Sequence, residues 1–600
     1  MLNQYCKDSN PLPPPQSRTA MRFALVVALL LALAGSAAAG EHPPKREIRA
    51  VWITTASALD WPRSYTAEEQ RDLLRAMVKY LHGVHFNTIY FQVRARGDAF
   101  YRSRYEPWSE ELSGTLGRDP GWDPLATLLE EAHRAGMEVH AWFNLYKVRG
   151  MEPVRVSAPL HPSLAFPGWC VTYQDEVWMD PGNPGVRSYL LRVALDLIRS
   201  YPLDGMHFDF IRYPGRDFPD ETSYRAFGNG MERDAWRRSS IDQFVSAFYD
   251  SVHLLRPMMK VGSAPLGVYD RAMDAAYAGS VVSHYQDALG WLRQGRHDYL
   301  APQLYWSIGA TPGDPDFASL IASWAARAGG RQIVAGIAAY KADVAREIPL
   351  QIDAARRAGA AGQAFFRFAF ITAPGVFGGR YDAPALIPPM AWKDSIPPLQ
   401  PAGLGVSEIA TNVFHLEWKP SPRARDGDTA HAYVVYRSSS GVVDTEDPRT
   451  IVAVLPASTT HIVDTVEVPE GFTYTYAVTA LDKGNNESPA STPSSATVAE
   501  LLALKRKVVE FSSLSTAIPL GSTRPTLAAY RLARRMPITL EIYRTDDSGG
   551  ETLVSTLVDS IQEGGTYVLG LRDIPFRRGS YIVRLSSGDA RLEQSVVITD

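Results

Sequence analysis

Cysteine is almost missing from this 600-residue chain, which has Cys6 and Cys170 and no others. Neither charge sign is in excess. The 61 Lys and Arg stand against 65 Asp and Glu, a formal net charge of −4, so there is none of the basic surplus by which a protein holds nucleic acid. There is no His-Glu-x-x-His motif and no Cys/His cluster, so no metal or other cofactor is expected. An apolar run long enough to span a bilayer is also lacking. The run Phe23–Ala34 is too short for that, and its flanks explain it otherwise. Met21-Arg22 before it and Ala37-Ala38-Ala39 after it make the plan of a secretory signal peptide. The expectation is Met21 as start codon, cleavage near Ala39, and a periplasmic or secreted mature chain from about Gly40. No Cys sits at the cleavage site, so no lipid anchor is expected. Cleavage leaves Cys170 alone, and a chain with one cysteine must be stable without an intramolecular disulfide.

What the sequence does contain is a long alternation of β and helical patterns. Six hundred residues are too many for one ordinary core and allow two to four domains. From Arg46 to about Pro389 eight apolar β-runs recur: Ile48–Thr55, Thr88–Ala95, Glu138–Tyr146, Asp204–Ile211, Lys260–Gly267, Asp298–Trp306, Gln332–Tyr340 and Gly362–Phe370. Between them lie segments such as Ala67–His82, Pro124–Ala135, Val186–Ser200, Ser240–Leu255 and Ala318–Ala328, apolar at three- and four-residue steps. This alternation builds a parallel sheet, and eight units predict a (β/α)8 TIM barrel. A doubly wound open sheet competes, but no glycine-rich phosphate loop follows the first strand. From Ser395 the pattern changes to short β-runs separated by turn residues, which predicts all-β sandwiches. The fold class is therefore α/β: a TIM barrel followed by two β-sandwich domains. The expected boundaries are 1–39 for the upstream extension and signal peptide, 40–392 for the barrel, 393–502 for the first sandwich and 503–600 for the second.

In a barrel of this kind the chemistry gathers at the C-terminal ends of the strands. The run DGMHFDFIRYP, Asp204–Pro214, delivers Asp209 and Arg212 to that end, while Asp204 at the other end reads as a turn or cap residue. Asp209 is either catalytic or the partner of Arg212 in a structural ion pair. The second run contributes Gln92, Arg94 and, in its loop, Asp98 and Glu106; the third contributes Asn144 and Tyr146; the sixth contributes Gln303, Tyr305 and Trp306. His207 shares a strand face with Asp209, so it either orients that carboxylate or is a satisfied core histidine. Carboxylates, amides and flat rings on one face suit a sugar, whose hydroxyls need polar partners and whose apolar faces stack on aromatics.

Several stretches taken in order resemble a known family: REIRAVWITT, the EPWS of Glu106–Ser109, HAWFN, DGMHFDFIRYP, RDAWRR, SAPLGVYDR, DYLAPQLYW and GQAFFRF. Together they resemble the glycosyl-hydrolase-like family 10 proteins across Arg46–Pro389. The resemblance implies a TIM-barrel glycosidase of the bacterial envelope, similar to enzymes that cut peptidoglycan strands stripped of their stem peptides. Two departures stand out: Phe210 occupies a position where many relatives have a second acidic residue, and the lipoprotein Cys is absent. Trp418, YVVYR at Tyr433–Arg437 and Tyr476–Ser488 resemble a fibronectin type III domain, and the last segment resembles the final β-sandwich of secreted bacterial proteins.

Glycoside hydrolysis generally needs two carboxyls across the scissile bond. Glu106 precedes Pro107-Trp108, a stiff, aromatic setting of the kind that raises a carboxyl pKa towards acid duty. The expected catalytic set is Glu106 as general acid and Asp209 as its partner, with Asp98 the third choice. The other reading of Glu106 is a solvated loop charge. Expected substrate-binding residues are Gln92, Arg94, Asn144, Tyr146, His207 and Arg212, together with Gln303, Tyr305 and Trp306. The expected partner is a cell-wall polysaccharide, with an envelope protein docking through the sandwiches. Two alternatives stay open: a catalytically silent carbohydrate-binding barrel, and a glycosidase of another amino-sugar polysaccharide.

Overall fold

The structure is a computed structural model that describes residues 43–309, 313–410, 412–466 and 472–498, and most of the strands between 509 and 599. The expected signal peptide and the boundary at 502 lie outside the described residues. Eight parallel strands close into a barrel in chain order: β1 (Ile48–Ile53), β2 (Thr88–Arg94), β3 (Glu138–Asn144), β4 (Gly205–Asp209), β5 (Lys260–Ser263), β6 (Tyr299–Leu300), β7 (Gln332–Ile337) and β8 (Gly362–Phe365). Each expected run holds one of these strands but overshoots it, because the last residues leave the sheet to build the mouth. The extreme case is Asp298–Trp306, of which two residues form regular ladder and Gln303 adds single bridges to Leu266 and Gly336.

Strand alternation divides the core. Val51 and Ile53 face the helices, whereas Ile48, Ala50 and Trp52 face the barrel axis with Tyr90, Trp142 and Tyr299. Helices cover the outside with one apolar stripe each. In Ala67–Gly83 the stripe is Leu74, Met77, Val78 and Leu81, and Glu68 and Glu69 in the first turn suit the positive end of the helix dipole. In Pro124–Arg134 Pro occupies the first turn and Asp123 caps it by accepting from Ala126 N at 3.0 Å.

The barrel axis is polar. The Trp52 indole N–H donates to His207 Nε2 at 3.0 Å. His207 Nδ1 lies 3.0 Å from the Tyr299 hydroxyl, that hydroxyl lies 2.7 Å from His140 Nδ1, and His140 Nε2 lies 3.1 Å from Glu138. Lys260 Nζ donates to both Glu138 oxygens, at 2.6 and 2.7 Å. Burial raises the Glu138 pKa, but Lys260 and His140 outweigh it and hold the carboxyl well below the usual range. An indole only donates and a carboxylate only accepts. Burial holds the His207 pKa down and favours the neutral ring, so with Nε2 accepting from Trp52 its proton sits on Nδ1, and His140 donates its Nε2–H to Glu138. Two glycines make room for these rings: a Cβ on Gly205 would lie 2.7 Å from His140 Nδ1, and one on Gly262 would lie 2.3 Å from the Tyr299 ring.

Between β3 and the helix Pro184–Ser200 the chain makes an excursion that the sequence pattern did not suggest. It is a three-stranded antiparallel sheet of Lys147–Gly150, Glu176–Met179 and Cys170–Tyr173. No helix among the described residues is long and apolar enough to cross a membrane.

After the barrel, seven strands form a sheet of three (Ala402–Ala410, Val413–Lys419, His461–Thr465) and a sheet of four (Ile451–Pro456, Ala432–Ser438, Thr473–Leu481, Ser494–Thr497). Their core holds Phe414, Trp418, Tyr433 and Tyr476. The last segment pairs a sheet of three with a sheet of five, and the latter contains Met536–Thr545, Glu551–Gln562 and Gly579–Ser587. The first sandwich is tied to the barrel's N-terminal end. Arg46 donates to Asn485 O at 3.0 Å and to Glu487 at 2.9 Å, and Asn485 Nδ2 donates to Glu138 Oε1 at 3.3 Å.

Candidate active site

At the C-terminal end of the strands lies a cavity of about 250 Å³. Its aromatic walls are Trp52, Trp142, Tyr305 and Phe366, with the Phe366 centroid 6.1, 6.2 and 5.9 Å from Trp52, Trp142 and Tyr305 respectively. Among the described residues Asp209 is the one carboxylate that lines it, facing the cations Arg96, Lys147 and Arg212. The amides Gln92, Asn144 and Gln303 line it as well.

The local fold aims Asp209 into this space. The residue ends β4, and Phe210 turns the chain at φ +50°, a left-handed conformation that costs a bulky residue about 1–3 kcal/mol and marks functional sites. The turn brings Phe210 N onto Asp209 Oδ1 at 2.7 Å. Gln303 Nε2 donates to the same oxygen at 3.4 Å, and Arg212 Nη1 stands 3.6 Å away. Burial raises the Asp209 pKa above the usual carboxylate value and outweighs the opposing pull of Arg212, the Phe210 N–H and Lys147. A carboxyl of this kind holds a proton to higher pH than an exposed one. The Tyr305 phenol is pushed up by burial and by the Asp209 charge.

Four buried polar atoms on this cavity have no hydrogen-bond partner: Thr54 Oγ1, Trp142 Nε1, Asn144 Oδ1 and Arg212 Nη1. Buried polar groups are almost always satisfied, so four unsatisfied ones on a single surface are donors and acceptors that a polar ligand can meet. The unsatisfied set contains three donors or donor-acceptors and one amide acceptor, which matches the mixed hydroxyl chemistry of a sugar.

The sequence-predicted residues divide into two groups. Gln92, Asn144, Asp209, Arg212, Gln303 and Tyr305 meet on the cavity. Gln92 is also structural, its Oε1 accepting from Thr55 N and Ala56 N at 3.0 and 2.9 Å. The others lie off the cavity. Glu106 is not a solvated loop charge: it is fully buried and gripped by Arg94, at 2.8 and 3.0 Å from Nε and 2.7 Å from Nη2, with Tyr189 Oη at 3.3 Å. Arg94 spends its remaining donor on the Asn144 and Leu145 carbonyls. Asp98 accepts from Arg96 N at 2.8 Å and fixes that turn. Tyr146 packs on Phe244 and Trp306 on Tyr277. His207 is enclosed on the axis, stacked on Tyr90 at 4.1 Å, and does not touch Asp209.

The excursion sheet brings residues that the sequence reading missed. Lys147 lines the cavity and pairs with Glu176, whose other oxygen accepts from Trp178 Nε1 at 3.1 Å. Trp178 packs edge-on against Phe210 at 5.6 Å, and Lys147 and Arg212 lie 4.9 and 4.7 Å from the centre of that same ring.

Larger cavities, of about 330 and 710 Å³, occur at the barrel's other end against the first sandwich. Barrel chemistry sits at the C-terminal end, and the polar groups at the lower end are matched, as in His133 with Asp204 at 2.7 Å. Asp204 also accepts from Val139 N, in keeping with a turn residue. Among the described residues, the group of carboxylates close enough to share a cation is Asp394, Asp426 and Asp428, on the linker and first sandwich.

The profile of a family described as Glycosyl hydrolase-like 10 matches residues 47–353. The chain is 30% identical over 489 residues to the glycosyl hydrolase YngK of Bacillus subtilis (strain 168), covering 74% of this chain and 92% of that protein. It is 30% identical over 370 residues to the glycosyl hydrolase DigH of Escherichia coli (strain K12), covering 54% of this chain and 84% of that protein. Among solved structures it is similar to the catalytic domain of beta-amylase from Paenibacillus polymyxa, at 11% identity and a TM-score of 0.39 over 56% of this chain and 97% of that one.

Proposed function

Because this chain belongs to the Glycosyl hydrolase-like 10 family, we propose that its mouth cavity cuts glycosidic bonds of bacterial cell-wall glycan, in strands freed of their stem peptides. The observation that carries this reading is a buried Asp209, its pKa raised by that burial, sharing one aromatic cavity with four unsatisfied polar atoms. The envelope setting rests on the signal-peptide pattern of Met21–Ala39 and on the resemblance of the barrel motifs.

In this reading Asp209 is the general acid. Its proton passes to the leaving glycosidic oxygen as the bond to the anomeric carbon breaks. The sugar ring lies against Trp52 and Trp142, while Asn144, Gln303 and Thr54 take its hydroxyls. Water supplies the new hydroxyl at the anomeric carbon, and its proton goes to a second carboxylate. Glu106 is closed off by Arg94, so that role falls to Glu176, which does not line the cavity itself but pairs with the lining residue Lys147 and receives the proton through solvent, within electrostatic reach of Arg212. The seven-stranded domain is of the fibronectin type III kind. With the last sandwich it spaces the barrel from a surface or docks it on an envelope protein.

The test is mass spectrometry of products after incubating the full chain with glycan strands, with and without prior removal of stem peptides by an amidase. Short disaccharide-repeat fragments from stripped strands support the reading. Strands that bind and remain intact favour a silent sugar-binding barrel.

A further inference from the structure

The cavity carries more positive charge than its own carboxylate can match. Arg96, Lys147 and Arg212 line it against Asp209. Two of the three cations are engaged: Arg96 Nη2 donates to Ser57 Oγ at 2.6 Å, and Lys147 pairs with Glu176. Arg212 is different. Its side chain is 13% exposed, its Nη1 has no hydrogen-bond partner, and the nearest carboxylate oxygen is 3.6 Å away, beyond hydrogen-bond reach. A guanidinium presents a planar fork of donors that fits a carboxylate in bidentate fashion, and this chain meets that demand fully at Arg94. A buried guanidinium left unmatched is expensive. The imbalance deepens when Asp209 holds its proton, because Arg212 then has only the Glu176 charge, already paired with Lys147, to face.

We propose that Arg212, with Lys147 beside it on the Phe210 ring, is the subsite for a carboxylate carried by the sugar, so that the glycan read by this barrel is an acidic one. This rests on the glycosidase reading of the same cavity. Two sugar chemistries supply such a group: a lactyl ether on an amino sugar, and the C6 carboxylate of a uronic acid. A stem peptide joined to the lactyl group turns its carboxylate into a neutral amide, which leaves Arg212 unmatched. Preference for stripped strands then follows from charge at one subsite.

The experiment is calorimetric titration of the full-length D209N chain with four tetrasaccharides: stripped cell-wall glycan, the same glycan with its lactyl carboxylates converted to methylamides, chitotetraose, and an oligouronate. The acid form of the cell-wall glycan is expected to bind roughly 10- to 100-fold more tightly than its amide, the range of a hydrogen bond to a charged group. The D209N/R212Q chain is expected to lose that difference while its affinity for chitotetraose changes little, and D209N/R212K to fall between. Equal affinity of acid and amide for the D209N chain overturns the proposal without recourse to any Arg212 variant. Tight, Arg212-dependent binding of the oligouronate with weak binding of the cell-wall acid upholds the carboxylate subsite and rejects the cell-wall reading. Cleavage of amide and acid strands at equal rates by the unmutated chain does the reverse.

Discussion

Arg94 with Glu106 and Arg212 with Asp209 are the same chemical pair, buried in the same barrel and built in opposite ways. Arg94 grips Glu106 with three contacts of 2.7 to 3.0 Å, both side chains wholly enclosed, and spends its other donor on backbone carbonyls. Arg212 approaches Asp209 no closer than 3.6 Å and keeps a donor without a partner. The first pair has no capacity left for a substrate. The second has capacity on both members, since burial raises the Asp209 pKa and Arg212 Nη1 has no hydrogen-bond partner. Burial of a carboxylate is thus a poor guide to catalysis, and unspent hydrogen-bonding capacity on a shared surface is a better one.

The largest effect that tests this contrast is on turnover. Asp209→Asn should lower kcat by about 10² to 10⁴, the contribution of general acid catalysis, with an unchanged far-ultraviolet circular dichroism spectrum. Retained turnover would remove Asp209 from the acid role. Next comes stability. Glu106→Gln breaks a buried pair from one side and should reduce the stability of the barrel by about 3–5 kcal/mol, read as a lower urea midpoint by tryptophan fluorescence, with kcat at low temperature within a few-fold of the parent. Loss of turnover at unchanged stability would hand the acid role to Glu106 and dissolve the contrast. Glu176→Gln should lower kcat by roughly 10- to 100-fold with little change in KM; an unaffected kcat would leave water activation to another group.

The smallest effect is in pH dependence. Asp209 has a raised pKa because burial penalises its ionised form. The stability linked to its protonation is present below the unfolded carboxyl value and is lost as pH rises through the folded one. Asp209→Asn should therefore be slightly more stable than the parent at pH 8, with the gain fading in acid, the opposite sign to Glu106→Gln at neutral pH. The basic limb of the parent's kcat profile should fall through the same raised pKa and vanish from the residual rate of Asp209→Asn.

The barrel was legible because each strand is an apolar run with a helical stripe after it, and because Asn144, Asp209 and Gln303 stand at or just beyond strand ends, with Gln92 two residues inside its own. What was hidden depends on depth and on partners from other strands. Alternation correctly put His207 on the face of Asp209, but two residues back along the strand that face is the packed axis rather than the mouth. Trp52 and Trp142 lie inside apolar strand runs with no local signal to set them apart, yet they sit high enough to wall the cavity. The loop setting of Glu106 suggested acid duty, and nothing local announces that Arg94 folds over it. Lys147 and Glu176 come from strands of four residues each, too short for a period to register.

The string of rings along the barrel axis is held in orientation by its two ends. Trp52 cannot accept and Glu138 cannot donate, so no imidazole between them can flip without breaking two bonds. The string transmits orientation rather than charge, like a keyed shaft. One end of the shaft is the Trp52 indole that walls the cavity, and the other is the carboxylate met by Asn485 of the first sandwich. A barrel severed from its sandwiches would retain every residue of the mouth and still lose one bearing of the cavity's Trp52 wall.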